Sequence, residues 1–268
     1  MKMEINNYFA PKKVEEAYEL FIDNEANRFI AGGAWMKLST KKVNDLISLD
    51  RLRLDYIKEE NAFFEIGAMT SLRAIETNQQ IKSYYSGILN QAVSKIMGVS
   101  VRNLATIGGS VMGKFAFSDL LGVLLVLDAR LHFYKLGEIS IQEFLAMKRP
   151  PRDLLVKIRI PKVSGKGYFK KVSKTHLDFS VINLAIFKGE NIKIAVGSRP
   201  LAAEIASKAS NFLSSQSSIT DEIIENACDL VIEELKLSSN LRGSKEYREL
   251  LVRTYLKRGL GQVMNDEN

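Results

Sequence analysis

Two glycine pairs constrain this chain more than any other feature. Gly32-Gly33 follows the short apolar segment Arg28-Phe29-Ile30-Ala31, and Gly108-Gly109 follows Leu104-Ala105-Thr106-Ile107. Glycine accepts positive φ and lets a ligand or another backbone approach without a Cβ in the way. Successive backbone N–H groups in such turns form a concave nest for anionic oxygens, and two nests in one domain suit a pyrophosphate held between them. Two tight turns with no ligand are the other reading of the same residues. Neither a Gly-x-Gly-x-x-Gly run nor a Walker loop is present, which disfavours the doubly wound nucleotide folds.

Composition narrows the chemistry. A length of 268 residues suits about two domains. The single cysteine, Cys228, excludes an internal disulfide and a cysteine-held iron–sulfur or zinc site. Only two histidines, His132 and His176, are present, too few and too far apart for a typical histidine metal site. Redox chemistry in this chain therefore requires an organic cofactor or a group on another chain, and no metal ligand or catalytic side chain is assigned. The net charge of +7 (38 basic against 31 acidic residues) admits anionic partners. The basic residues are scattered as pairs, Lys12-Lys13, Lys41-Lys42 and Lys170-Lys171, with no nucleic-acid motif, so nucleic acid is not an expected partner. Met1-Lys2-Met3-Glu4 runs into polar residues rather than an export signal. The most apolar run, 120–133, carries Asp128 and Arg130 and falls short of the ~20 residues that cross a bilayer. It reads as a buried helix followed by a strand. The expected setting is cytoplasmic, without membrane contact.

Periodicity organises the chain as follows. Helices are expected at 11–23, 72–77, 88–97 and 119–127, and strands near 28–31, 46–49, 63–67, 130–134 and 154–160. After Gly165 and Gly167 come strands at 168–173, 181–187 and 192–196, then helices at 202–213, 221–236 and 245–260. The tail 265–268 is polar and expected to fray. Both halves mix helices and strands without strict alternation, so the class is α+β.

Several segments, in order, resemble the FAD-binding subunit of molybdenum hydroxylases, the family of the xanthine dehydrogenase flavin domain and the carbon monoxide dehydrogenase medium subunit. Phe29-Ile30-Ala31-Gly32-Gly33-Ala34 stands where the family reads Ala-Gly-Gly-Thr/Ser after its first strand. Ile66-Gly67-Ala68-Met69-Thr70-Ser71-Leu72 resembles its Ile-Gly-Ala-x-Thr-x-Leu, and residues 101–109 resemble its Ile-Arg-Asn-x-Ala-Thr-Ile-Gly-Gly. Ser118-Asp119-Leu120, Leu127-Asp128-Ala129, Ile158-Arg159-Ile160-Pro161 and the C-terminal Ser244-Lys245-Glu246-Tyr247-Arg248 extend the resemblance over roughly residues 3–260.

The resemblance implies a two-lobed FAD-binding domain of the vanillyl-alcohol-oxidase/p-cresol-methylhydroxylase type over 1–163, with lobes of about 1–55 and 56–163. A smaller α+β domain over 164–268 follows. It further implies FAD as cofactor, an iron–sulfur small subunit and a molybdopterin large subunit as partners, and NAD(P) or another acceptor for the electrons. The implied cofactor-binding residues are Phe29, Ile30, Ala31, Gly32, Gly33, Ala34 and Trp35 in the first loop. Thr106, Ile107, Gly108, Gly109 and Ser110 in the second, with Asp119, Leu154 and Lys170, complete the set. Gly32, Gly33, Gly108 and Gly109 are expected to meet the pyrophosphate through backbone N–H groups, Asp119 to accept from ribose or ribityl hydroxyls, and Lys170 to lie near the flavin. Bland readings stand beside these: a core anchor for Trp35, a core strand residue for Leu154, a solvated lysine for Lys170.

Three positions depart from the family pattern. Ala34 lacks the usual hydroxyl, Ser110 replaces an asparagine, and Lys114-Phe115-Ala116 replaces a small Ala-Ser-Pro run, with Lys114 a possible phosphate partner. They motivate a second reading, a partner-binding scaffold of the same fold with weak or no FAD. A third, a free-standing flavin oxidase, lacks any substrate-domain signal.

Overall fold

The computed structural model describes residues 3–36, 40, 42–199 and 201–264. The N-terminal pair Met1-Lys2, Lys41 of the second lysine pair, and the polar tail 265–268 lie outside the described residues. Among the described residues the strands form three sheets.

The first sheet is parallel, in the order β1 (Ile5–Phe9), β3 (Val43–Ser48), β2 (Arg28–Ile30), and α1 (Val14–Asp23) lies in the connection from β1 to β2. β3 is buried because it is central, and the edge strand β1 is exposed along its length. Arg152 ties this lobe to the next. Its guanidinium donates to the Phe21 and Asn24 carbonyls at 2.6 Å each and lies 4.5 Å from the centre of the Phe21 ring.

The second sheet is antiparallel. It comprises β4 (Ile57–Glu59), β5 (Phe63–Gly67), β6 (Arg130–Phe133), β7 (Gly137–Ser140) and β8 (Leu155–Pro161), in the order β4-β5-β8-β6-β7. The alternation expected for 154–160 is realised in β8. Ile158 and Ile160 are buried, while Lys157 and Arg159 meet Glu65 on the polar face. The inner face packs on a helical layer: α2 (Leu72–Thr77), α3 (Gln79–Ser83), α4 (Ile88–Ser94), α5 (Val99–Leu104), α6 (Ile107–Met112) and α7 (Leu120–Val126). A further short helix, α8 (Ile141–Ala146), opens with a capping box between Ser140 and Glu143.

The third sheet is antiparallel, ordered β12 (Glu204–Ile205), β11 (Ile192–Gly197), β10 (Ile182–Lys188), β9 (Lys166–Val172). Its outer face is covered by α9 (Ser207–Ser214), α10 (Asp221–Glu234) and α11 (Lys245–Met264). Its inner face contributes Phe169, Ala185, Phe187 and Ala195 to the same core that α4 and α7 fill. That arrangement explains why α7 is apolar on every side: every residue of it is buried, with the third sheet on one flank and α4, α6 and α8 against the rest.

Candidate functional site

The first glycine pair leaves the end of β2. Gly33 adopts φ +63°, a left-handed conformation that favours glycine. Gly32 meets a close-approach requirement, because a Cβ there would lie 1.5 Å from the Leu104 carbonyl oxygen at the end of α5. None of the hydrogen bonds between described residues takes the N–H of Gly32, Gly33 or Ala34.

The second pair differs from expectation. It is not a loop but the first turn of α6, capped by Thr106, whose Oγ1 accepts from the Gly109 N–H at 3.1 Å. The Ile107 N–H donates to the Thr70 carbonyl and the Gly108 N–H to the Ala68 carbonyl, each at 2.9 Å, and the Ser110 N–H to the Thr106 carbonyl at 3.0 Å. In this structure the N–H groups expected to meet a pyrophosphate are engaged within the fold, that of Gly108 by a backbone carbonyl and that of Gly109 by the Thr106 hydroxyl. Gly108 instead permits close packing, since a Cβ would sit 2.6 Å from the Ala68 carbonyl oxygen. Gly109 is less crowded than Gly108 but not free of contact. A Cβ there would meet only Thr106 Oγ1, at 3.1 Å.

Between the two segments lies a cavity of about 400 Å³. Phe29, Ile30, Ala31, Gly32, Gly33, Ala34 and Trp35 line it on one side, Thr106, Gly108, Gly109 and Ser110 on another, and Leu154 closes it. Ile107 does not take part, because its side chain is fully buried in the helical core. Leu154 is both core and cavity wall, being 2% exposed. The Ser110 hydroxyl donates to the Thr106 carbonyl at 2.8 Å, so it is turned onto its own helix. The ionisable residues on the described wall are Arg28 and Asp153, and both serve the backbone. Arg28 donates to the Glu25 and Asn27 carbonyls, and Asp153 accepts from the N–H groups of Lys135, Leu136 and Leu154.

A second cavity of about 50 Å³ adjoins the first, with Trp35, Ser110 and Phe115 lining both. Trp35 is 38% exposed and is not a core anchor. It leads an aromatic cluster, with ring centres 5.6 Å from Phe115, 5.8 Å from Phe117 and 5.6 Å from Phe179. Asp119 and Lys171 form the polar end of this cavity. The Asp119 carboxylate pairs with the Lys171 ammonium at 2.8 Å and accepts from the Ser180 hydroxyl at 2.5 Å and the Asn183 amide at 3.1 Å. Burial pushes the Asp119 carboxyl up, against the opposing pull of Lys171 and the two neutral donors.

Two lysine expectations are corrected. Lys170 faces away from both cavities, its ammonium 5.0 Å from the centre of the Tyr255 ring on α11. Successive residues of a strand point to opposite faces, so it is Lys171 that enters the site. Lys114 is not a phosphate partner. It donates to the Phe144 and Met147 carbonyls at the end of α8. Sequence reasoning missed Lys171, Phe117 and Phe179; the alternation Phe169-Lys170-Lys171 was the available signal for the lysine.

Among the described residues no group of three or more His, Cys, Asp or Glu side chains is arranged to hold a metal ion. No described helix is long and apolar enough to cross a membrane. The donor set suits a dinucleotide: N–H groups at Gly32, Gly33 and Ala34 that no other described residue takes, for an anionic linker, Gly109 on the opposite wall, apolar walls, and an aromatic and ion-paired end for a polar ring.

Known proteins match this arrangement. Residues 2–163 match the family model described as the FAD binding domain in molybdopterin dehydrogenase, and residues 167–263 the CO dehydrogenase flavoprotein C-terminal domain. The glyceraldehyde dehydrogenase medium chain of Sulfolobus acidocaldarius is 26% identical, over 96% of this chain and 98% of that one. The 6-hydroxypseudooxynicotine dehydrogenase complex subunit alpha of Paenarthrobacter nicotinovorans is 27% identical, over 99% and 96%. The solved carbon monoxide dehydrogenase of Hydrogenophaga pseudoflava superposes with a TM-score of 0.88 at 23% identity, covering 98% of both chains. This chain belongs to the FAD-binding medium subunits of the molybdenum hydroxylases, oxidoreductase subunits with a two-lobed FAD-binding domain and a smaller C-terminal α+β domain.

Proposed function

We propose that this chain is the electron-transfer subunit of a molybdopterin-dependent hydroxylase. In this reading electrons arrive from iron–sulfur clusters on a partner subunit and leave to NAD(P) or another acceptor. The carrying observation is the cavity of about 400 Å³ lined on one side by Gly32, Gly33 and Ala34, whose N–H groups no other described residue takes, and on another by Gly109. Those groups would hold the pyrophosphate of FAD, the apolar wall at Leu154 would cover its sugar or ring, and Asp119 with Lys171 would meet the polar edge of the flavin. When bound, FAD supplies the conversion between one-electron and two-electron transfer that this chain's own side chains lack. The residues themselves bind, orient and exclude water. Units of 1–163 and 164–268, and a cytoplasmic setting, complete the reading.

A partner-binding scaffold with weak FAD is favoured by three observations. Ala34 offers no hydroxyl, the Ser110 hydroxyl is spent on Thr106, and Phe115 and Phe117 narrow the second cavity to about 50 Å³. A visible absorption spectrum of the purified chain, after FAD addition and dialysis, separates the two. A retained flavin band that disappears in Gly109→Val supports the electron-transfer subunit. A folded chain that retains no flavin, alone or with its partner subunits, leaves the scaffold.

A further inference from the structure

We propose that Arg242 is a positioning residue for the flavin end of the site, acting through Phe179; this rests on the FAD reading above. Phe179 forms a wall of the second cavity, its ring centre 4.1 Å from that of Phe117. It sits at the end of an exposed connection between β9 and β10, where residues 174–177 are all exposed. Packing from its own segment therefore does little to fix it.

Arg242 fixes it from outside. One guanidinium makes two contacts: it donates to the Asp178 carboxylate at 2.7 Å and lies 4.9 Å from the centre of the Phe179 ring. Gripping two successive side chains at once sets the peptide between them, a geometry that suits a planar, multi-donor cation over an ammonium. The ion pair is about a third exposed on each side, so its removal changes stability little. Its effect falls on where Phe179 lies.

The segment carrying Arg242 is itself held from within. Arg248 on α11 is fully buried and has no carboxylate partner among the described residues. It donates to the Ser238 carbonyl at 2.6 Å, to the Asn240 side chain at 2.6 Å, to the Gly243 carbonyl, and to the Val181 carbonyl at 3.0 Å. Val181 lies two residues beyond Phe179, so one arginine binds the 238–243 turn to the very segment that the other arginine orients. The Asn240 side chain also accepts from the Arg242 N–H at 2.9 Å, which seats Arg242 in the same turn. The two arginines thus connect the start of the last helix to the aromatic end of the site.

The full chain carries its own reporter, because Trp35 is the sole tryptophan and lines both cavities. Binding of FAD and of ADP, which lacks the flavin ring, is read from Trp35 fluorescence in wild type, Arg242→Ala, Arg242→Lys and Asp178→Asn. The expected result is a loss of FAD affinity of about tenfold or more in Arg242→Ala, a smaller loss in Arg242→Lys and Asp178→Asn, and ADP affinity within about twofold of wild type throughout. Equal losses for FAD and ADP, or no loss for FAD, overturn the inference while leaving the FAD reading intact. A folded wild-type chain that binds neither ligand overturns the FAD reading and this inference with it.

Discussion

The Lys171 ammonium lies 2.8 Å from the Asp119 carboxylate, and both side chains are almost wholly removed from solvent. The pair joins β9 to the start of α7, two elements far apart in sequence. Lys171 also donates to the Lys95 carbonyl at 2.8 Å, and Asp119 accepts from Ser180 and Asn183, so neither charge is short of partners. Removing one member of such a pair leaves the other buried and uncompensated, which costs roughly 3–5 kcal/mol. Asp119→Ala and Lys171→Met should each lower the unfolding free energy measured in urea by that order. The double variant should lose less than the sum of the two, because it leaves no lone charge. Additive losses would show that the two residues stabilise the fold separately.

The glycines of the two pairs should respond in opposite ways. Gly109 lines the cavity, and a Cβ there would meet one side-chain atom, Thr106 Oγ1 at a tight 3.1 Å, whereas a Cβ at Gly32 would overlap the Leu104 carbonyl. Gly109→Val is expected to keep the wild-type melting temperature within a few degrees and to abolish retained flavin. Gly32→Ala is expected to cost about 1–3 kcal/mol through forced separation of the first loop from α5. Differential scanning fluorimetry paired with flavin absorbance checks both. A Gly109→Val chain that binds FAD normally would falsify the assignment of that wall.

Local pattern made much of this architecture readable. Phe63–Gly67, Leu72–Thr77 and the strands β9, β10 and β11 follow from apolar periodicity and capping, which act within a few residues, while the strand expected at 46–49 covers only the second half of Val43–Ser48. What stayed hidden depends on distant backbone. The donors of Gly108 and Ile107 are consumed by the carbonyls of Ala68 and Thr70, and nothing within residues 101–113 announces those acceptors. The same holds for Lys171, whose partner lies 52 positions away (171 − 119). The resemblance to flavin subunits pointed to a lysine on this strand, and the one-residue choice between Lys170 and Lys171 turned on which face of β9 packs against α4. Short elements such as β4 and β12 carried too few residues to show any period.

Lys114 tests the separation of stability from binding. Its ammonium donates to the Phe144 and Met147 carbonyls, closing the C-terminal end of α8, and burial pulls its pKa down. A cation at that end of a helix contributes about 0.3–1 kcal/mol, and the orphaned carbonyls add to the loss when it is removed. Lys114→Met should therefore reduce stability by about 1–2 kcal/mol in urea unfolding. FAD affinity, read by equilibrium titration, should change less than about twofold. A tenfold fall in FAD affinity with unchanged stability would return Lys114 to the phosphate role.

Glu65 carries the pH dependence of the second sheet. Burial favours its protonated form, but hydrogen bonds from Lys157, Arg159 and Tyr56 outweigh that and hold its carboxyl down at about 2. The Lys157 ammonium is 2.8 Å away, the Arg159 guanidinium 3.0 Å and the Tyr56 hydroxyl 3.0 Å. In the unfolded chain a glutamate titrates near 4.3. Because the folded value is the lower one, the unfolded state takes up the proton first as pH falls. The network's contribution is therefore complete above about pH 5 and is lost progressively between roughly pH 4 and 2. Its size at neutral pH is about 2–3 kcal/mol, with Arg159 partly exposed and so weakened by solvent. Glu65→Gln should be less stable than wild type by that order at pH 6, and the gap should narrow steadily in thermal unfolding from pH 5 to pH 3. A gap that stays constant over that range would mean that Glu65 acts through packing and not through its charge.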